Sequence, residues 1–364
     1  MGAIMSDEVI EGYGGDEDAS LGEYPIDTVL IRNENRTVFD VLRRIEKGNY
    51  ILDPDFQRDF IWAQDKQSKL IESVLMRIPL PVFYLAENND GRMVVVDGLQ
   101  RLSTFQRFVS NELRLKLPLQ KELDGKRFQD LSPKLQNRIE DCNLILYLID
   151  AKVPTQALLD IFERVNSGLP LTRQQMRNCL FMGPATRFLK EEASKALFQE
   201  ATGKSLDRDK MRDREFINRF CAFNLLGIEQ YTGDMDDFLA KALKLMNTSS
   251  AACLEKVSSQ LKMTLINNKK IFDRHAFRKH SANQWNRNVI NASLWDVMSI
   301  GLSRYPEPVV EARAEDLRQG FYGLMSDSEF VESISLGTNQ VNRVKKRFEK
   351  SSKMFKEVLG DHQN

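Results

Sequence analysis

The sequence predicts an α+β protein, a mixed α/β domain over residues 26–150 followed by a mainly α-helical domain over residues 151–364. Three observations predict this. The apolar runs of strand length, Tyr50-Ile51-Leu52, Val82–Leu85, Met93–Val96 and Leu144–Ile149, all fall before residue 150. Segments with helical spacing alternate with them there. Beyond residue 155 only helical spacing recurs, at Gln156–Val165, Arg173–Phe181, Arg187–Leu197, Asp213–Leu226, Met235–Met246, Ala252–Lys270, Val289–Met298 and Val341–Leu359.

The chain begins with an acidic stretch. Residues 1–31 hold eight Asp and Glu and no Lys or Arg. The full chain has 52 of each sign, so residues 32–364 carry +8. Residues 1–25 contain too little apolar surface to build a core and are expected to be a disordered tail, serving solubility or screening a basic groove. Val38, Val41, Leu42 and Ile45 then form a helical stripe that Gly48 ends. Asp53-Pro54 stops the first strand. Asp65–Met76 is a second helix, with Leu70, Ile71, Val74 and Leu75 on its apolar face and Pro79 and Pro81 beyond its end. Asn88-Asn89-Asp90-Gly91 has the chemistry of a hairpin turn between the strands at Val82–Leu85 and Met93–Val96. A helix over Arg101–Phe108 follows.

The composition is that of a globular protein, 42% hydrophobic and 29% charged. No run approaches the roughly 20 apolar residues that cross a bilayer, and the N-terminus lacks the pattern of a signal peptide. A cytoplasmic protein with no membrane partner is expected. Cys142, Cys179, Cys221 and Cys253 lie far apart, without zinc-ligand or redox spacing, and read as reduced thiols.

The stretch that carries chemistry is Val94-Val95-Val96-Asp97-Gly98-Leu99-Gln100-Arg101-Leu102-Ser103-Thr104-Phe105, a strand, a tight turn and a helix. Free backbone N–H groups and the helix dipole at such a turn attract phosphate. Gly98 allows close approach, and Arg101 offers a donor fork suited to phosphate oxygens. Asp97 suits Mg²⁺ coordination, helix capping or orientation of a water. Gln100 can hydrogen-bond a base, a ribose or a water. Taken alone, the same residues suit an N-capping Asp and a surface Arg equally well. Two further segments place Arg beside an amide: Phe56-Gln57-Arg58 and Arg164-Val165-Asn166. Gly203-Lys204-Ser205 is not a P-loop, because Phe198 stands where its first Gly would fall.

Phe56-Gln57-Arg58 with Trp62, then Leu70-Ile71-Glu72-Ser73-Val74-Leu75 with Ile78-Pro79-Leu80-Pro81, then Val96-Asp97-Gly98-Leu99-Gln100-Arg101-Leu102-Ser103-Thr104 resemble the signature of the DUF262 family, in that order. Phe162-Glu163-Arg164-Val165-Asn166-Ser167-Gly168 with Leu171 is similar to its second signature. The likeness extends over about residues 35–360. It implies a ParB/sulfiredoxin-like domain whose strand–turn–helix grips nucleotide phosphates, as in the N-terminal part of GmrSD-like and SspE-like anti-phage proteins. There an Asp-Gly-Gln-Gln-Arg motif supports binding and hydrolysis of a nucleoside triphosphate and controls an HNH nuclease. Carried onto this chain, Arg58 and Arg101 hold phosphates, and Asp97 positions Mg²⁺ or water. Gln57 and Gln100 orient the nucleotide or nucleophile, and Gly98, Ser103 and Thr104 also bind the nucleotide. Arg164 and Asn166 close the site from the helical domain. Leu99 stands where the motif has its first Gln, which implies one polar contact fewer to nucleotide or DNA.

An HNH nuclease needs a His general base at a metal centre. This chain has only His275, His280 and His362, and on a helix the first two would not share a face. The expectation is therefore an NTP-binding, hydrolysing protein of anti-phage defence or DNA metabolism. The alternatives are an adaptor that regulates a separate nuclease subunit, and a DNA nickase. Basic segments 269–287 and 343–356 interleave cations with aromatics. They suit DNA contact, or equally solvated helix faces with Phe272, Phe277, Phe348 and Phe355 in the core; the zero net charge favours the second.

Overall fold

The computed structural model describes residues 10–12, 30–52, 62–88, 90–165, 171–282 and 284–360. The architecture is α+β. The chain divides into two compact units, residues 23–171 and residues 172–364 together with 1–22.

The first unit is built on five strands, β1 (Ile31–Thr37), β2 (Tyr50–Ile51), β3 (Phe83–Glu87), β4 (Met93–Asp97) and β5 (Asn143–Ile149). They form one sheet in the order β1-β5-β3-β4-β2. The hairpin between β3 and β4 closes as its residues require: Gly91 takes φ +78°, and the Asn88 N–H reaches the Arg92 carbonyl at 2.8 Å. β3 runs parallel to β5, with Phe83 opposite Leu146 and Leu85 opposite Leu148. β4 is almost wholly buried, which explains its continuous apolar run.

β1 pairs antiparallel with β5 from Ile31 opposite Ile149 to Thr37 opposite Asn143. Nothing in its composition announces a strand. It is a polar edge, held by Arg32 to Glu87 (3.1 Å) and Arg36 to Glu34 (2.7 Å), and such charge discourages pairing with other chains. Thr37 then ends the strand and caps α1 (Val38–Glu46), its hydroxyl accepting from the Asp40 N–H at 3.2 Å.

Helices α2 (Gln64–Leu75), α3 (Leu99–Val109) and α4 (Pro133–Glu140) join α1 in burying one core that includes Ile71, Phe83, Leu102, Phe105, Phe108 and Leu146. The sequence pattern does not reveal α4. α5 (Thr155–Val165) packs against β4, so this unit continues past residue 150 to Leu171.

The second unit is helical, with α6 (Arg173–Leu180), α7 (Pro184–Ser194), α8 (Ala196–Ala201), α9 (Arg212–Leu225), α10 (Met235–Thr248) and α11 (Ala251–Phe272). It continues with α12 (Ala292–Leu302), α13 (Glu307–Ala312), α14 (Ala314–Ser326), α15 (Ser328–Ser333) and α16 (Val341–Leu359). The helix expected from Val289 starts instead at Ala292, because Asn291 caps it through the Leu294 N–H at 2.8 Å. Phe198, Phe216 and Phe277 surround Trp295, whose Nε1 donates to the Phe216 carbonyl at 2.7 Å. A charged triad lies in the same interior. Arg219 grips both Asp296 oxygens (2.8 and 2.6 Å), and Arg347 adds a third contact at 2.9 Å.

Candidate functional site

The site begins where β4 runs into α3. Asp97 is the last residue of β4, and Gly98 takes φ +97° as the N-cap of α3. No side chain caps that helix. The Leu102 N–H is the first to reach back, to the Gly98 carbonyl at 2.9 Å. The amides of Leu99, Gln100 and Arg101 therefore have no acceptor inside the helix, the arrangement that favours an anion.

Gly98 is required by packing. A Cβ there would stand 2.3 Å from Phe83 Cδ1 and 3.2 Å from Arg101 Nη2. The space that a glycine leaves is filled by the protein itself.

Arg101 is 8% exposed. Its guanidinium lies 4.2 Å from the Phe83 ring centroid and donates to the carbonyls of Pro81 and Val82, the second at 3.0 Å. Nη2 also contacts Asp97 Oδ2 at 2.6 Å. The fork thus ties the segment after α2 to the turn before α3. Burial lowers the guanidinium pKa, against the pull of Asp97. Burial likewise raises the Asp97 carboxyl, against the pull of Arg101 and of the Gly98 amide. Asp97 keeps 28% of its side chain exposed, so its carboxyl is the part of this pair open to a ligand.

Gln100 has a second partner. Its side-chain oxygen accepts from the Trp62 N–H at 2.9 Å. Gln67 Nε2 donates to the Trp62 carbonyl, and Arg107 Nη1 holds Gln67 Oε1 at 3.0 Å. Both sides of the Trp62 main chain are therefore clamped, by α3 and by α2. The Lys66 ammonium sits 4.3 Å from the Trp62 ring centroid. Among the described residues Gln100 Nε2 is buried without a hydrogen-bond partner. Gln67, Arg107 and Phe83 were not singled out from the sequence. The available signal was Gln67, a polar residue on the buried stripe that continues through Ile71 and Val74.

Ser103 and Thr104 bond back into their own helix, to the carbonyls of Leu99 (2.8 Å) and Gln100 (2.7 Å). Leu99, the residue that departs from the family motif, lies in the apolar core. Arg164 is exposed near the end of α5 and belongs to the first unit, not to the helical one. Gln57, Arg58 and Asn166 lie outside the described residues. Among the described residues no cluster of three or more His, Cys, Asp or Glu is placed to hold a metal.

The basic segments are largely neutralised. Lys269 pairs with Glu200, Lys270 with Glu307 and Glu311, and Lys279 with Glu11. Near the C-terminus Arg343 pairs with Glu332, Lys346 with Glu329, and Lys350 with Asp327 and Glu329. His275 and His280 do meet, contrary to the helical expectation: their rings stack at 4.9 Å. The chain leaves α11 through a 3₁₀ turn over Asp273–His275, which brings them together.

The fold and turn define an α+β protein whose β4–α3 turn is held by an internal Asp–Arg pair. Residues 38–182 match the family described as GmrSD restriction endonuclease, N-terminal domain. That match is consistent with the DUF262-type domain that the motifs resemble. No curated protein and no solved structure matches the chain. No helix among the described residues is long and apolar enough to cross a membrane.

Proposed function

We propose that the Asp97–Arg101 turn binds a nucleoside triphosphate with Mg²⁺ and hydrolyses it, in a protein of restriction or anti-phage defence. The observation that carries this reading is the uncapped N-terminus of α3 beside the partly exposed Asp97 carboxyl. The helix N–H groups take phosphate. Mg²⁺ is ordinarily held by one or two carboxylates together with substrate phosphates, so a single Asp97 fits it; the ion would offset phosphate charge. Gln100 holds Trp62, and through it the end of the segment that carries Gln57 and Arg58. Those two residues, with Asn166, are assigned to the nucleotide on the family pattern. Arg101 fixes the turn instead of gripping phosphate.

The test is phosphate release from ATP, GTP and CTP with Mg²⁺, with and without DNA, comparing the wild type with Asp97→Asn. Turnover that the variant loses supports an NTPase and names its base. A second reading, nucleotide binding without turnover in an adaptor for a separate nuclease, is favoured by the internal commitments of Arg101, which withdraw a cation from the reacting phosphate. Binding with no turnover in the wild type would select it.

A further inference from the structure

A second polar surface lies in the first unit, at the C-terminal end of α2. Here a cleft of about 490 Å³ is lined by Arg77, Lys134, Asn137, Arg138, Asp141 and Asn143, among others. Lys134, Asn137, Arg138 and Asp141 are spaced i, i+3, i+4 and i+7, one face of α4 and the residue that ends it. The other wall is the segment leaving α2. Three cations face one carboxylate, and the flanking amides can each donate. Arg138 Nη1 holds the Leu75 carbonyl at 2.9 Å. The side chains of Arg77 and Lys134 make no hydrogen bond or ion pair with the described residues.

Arg77 also occupies a costly backbone position. It takes φ +60°, with its N–H on the Val74 carbonyl (2.9 Å) and the Ile78 N–H on the Ser73 carbonyl (2.9 Å). This is the left-handed close of a helix, where glycine is the usual residue. An L-residue there costs about 1 kcal/mol relative to glycine. Since the side chain bonds to nothing in the described chain, local structure does not account for an arginine. Nor does the α2 dipole need it, since Arg138 already reaches the last turn.

We propose that this cleft is a binding site for the phosphate groups of a nucleic-acid strand, separate from the Asp97–Arg101 turn. The cleft is open: Arg77, Lys134, Asn137 and Asn143 are all exposed. An open wall gives a small ligand little burial, whereas a polymer gains by presenting successive phosphates to separated cations. The site does not depend on nucleotide binding at Gly98.

The experiment is fluorescence anisotropy with labelled single-stranded and duplex oligonucleotides over a range of salt, for the wild type, Arg77→Gly, Lys134→Ala and Asp141→Asn. Lys353→Ala, an exposed cation on α16, is the control. Arg77→Gly removes the charge while relieving the backbone, so it stays folded, with an unchanged or raised thermal midpoint. Arg77→Gly and Lys134→Ala are each expected to weaken binding and to reduce the slope of log affinity against log salt by about 0.7–0.9. Asp141→Asn tightens binding. Identical affinity and slope in the wild type, Arg77→Gly and Lys134→Ala would overturn the proposal. So would equal loss in Lys353→Ala, or displacement of the oligonucleotide by millimolar triphosphate carrying the same total phosphate. Nucleotide turnover by Arg77→Gly is a separate readout, so failure here leaves the Asp97 reading untouched, and the reverse.

Discussion

Arg101 Nη2 stands 2.6 Å from Asp97 Oδ2, one helical turn apart across the Gly98 turn. The cation that a phosphate-binding motif would offer to a ligand is bound instead to the carboxylate of the same motif. Its remaining grip is on the Pro81 and Val82 carbonyls. The pair sets the shape of the turn and leaves Asp97 as its more exposed member.

Arg101→Ala is therefore expected to act first on stability. It strips a partner from a partly buried carboxyl and frees two buried carbonyls, a loss of about 3 kcal/mol. Arg101→Lys recovers only part of this, because an ammonium cannot reproduce the planar fork. Urea denaturation of the two variants measures both. Wild-type stability in Arg101→Ala would mean that the guanidinium faces solvent.

Gly98→Ala meets two obstacles, φ +97° and the Phe83 ring at 2.3 Å. The expected loss is about 2–4 kcal/mol. Gly98→Ala combined with Phe83→Leu should behave less badly than the two losses added, since the smaller side chain yields space to the methyl. Thermal unfolding of the single and double variants checks this.

Asp40 gives a pH signature. Burial pushes its carboxyl upward, but hydrogen bonds from Arg43 and Arg44 and the charges of Arg44 and Arg36 hold it at about 2, below the ordinary 3.8. The folded state thus binds fewer protons than the unfolded chain in that window. The resulting stability is present above about pH 4 and is lost as pH falls through about 2. With partial exposure it amounts to about 1 kcal/mol. In Asp40→Asn the stability curve should be flatter across that range, measured as the denaturation midpoint at each pH.

In the second unit, Asp296→Ala leaves Arg219 and Arg347 facing each other without their shared carboxylate. All three residues are at most 1% exposed. Breaking a buried ion set in this way costs about 3–5 kcal/mol. Loss of the near-ultraviolet signal of Trp295, which packs on Phe216 beside the triad, reports it.

The sequence revealed β3, β4 and β5 through their apolar runs, and the hairpin through Asn88 and Gly91. It concealed β1, because Arg32, Glu34 and Arg36 on an exposed edge have the composition of a loop. The strand–turn–helix at Gly98 was legible because one Gly separates a strand from a helix. The direction of the Arg101 fork was not. It depends on the Pro81 and Val82 carbonyls, about twenty residues upstream, being brought across the turn by the sheet. The pairing of the basic run at 343–356 was hidden for a similar reason: its acidic partners Asp327, Glu329 and Glu332 lie on α15 and at its N-cap, a neighbour visible only once the helices pack.

The most direct measurement is equilibrium binding of a fluorescent nucleoside triphosphate, with and without Mg²⁺, to the wild type and to Asp97→Asn, each verified as folded. The account predicts that the wild type binds, that Mg²⁺ strengthens binding, and that Asp97→Asn loses the Mg²⁺ increment. No binding by the wild type at millimolar nucleotide, or an equal increment in the variant, would contradict it.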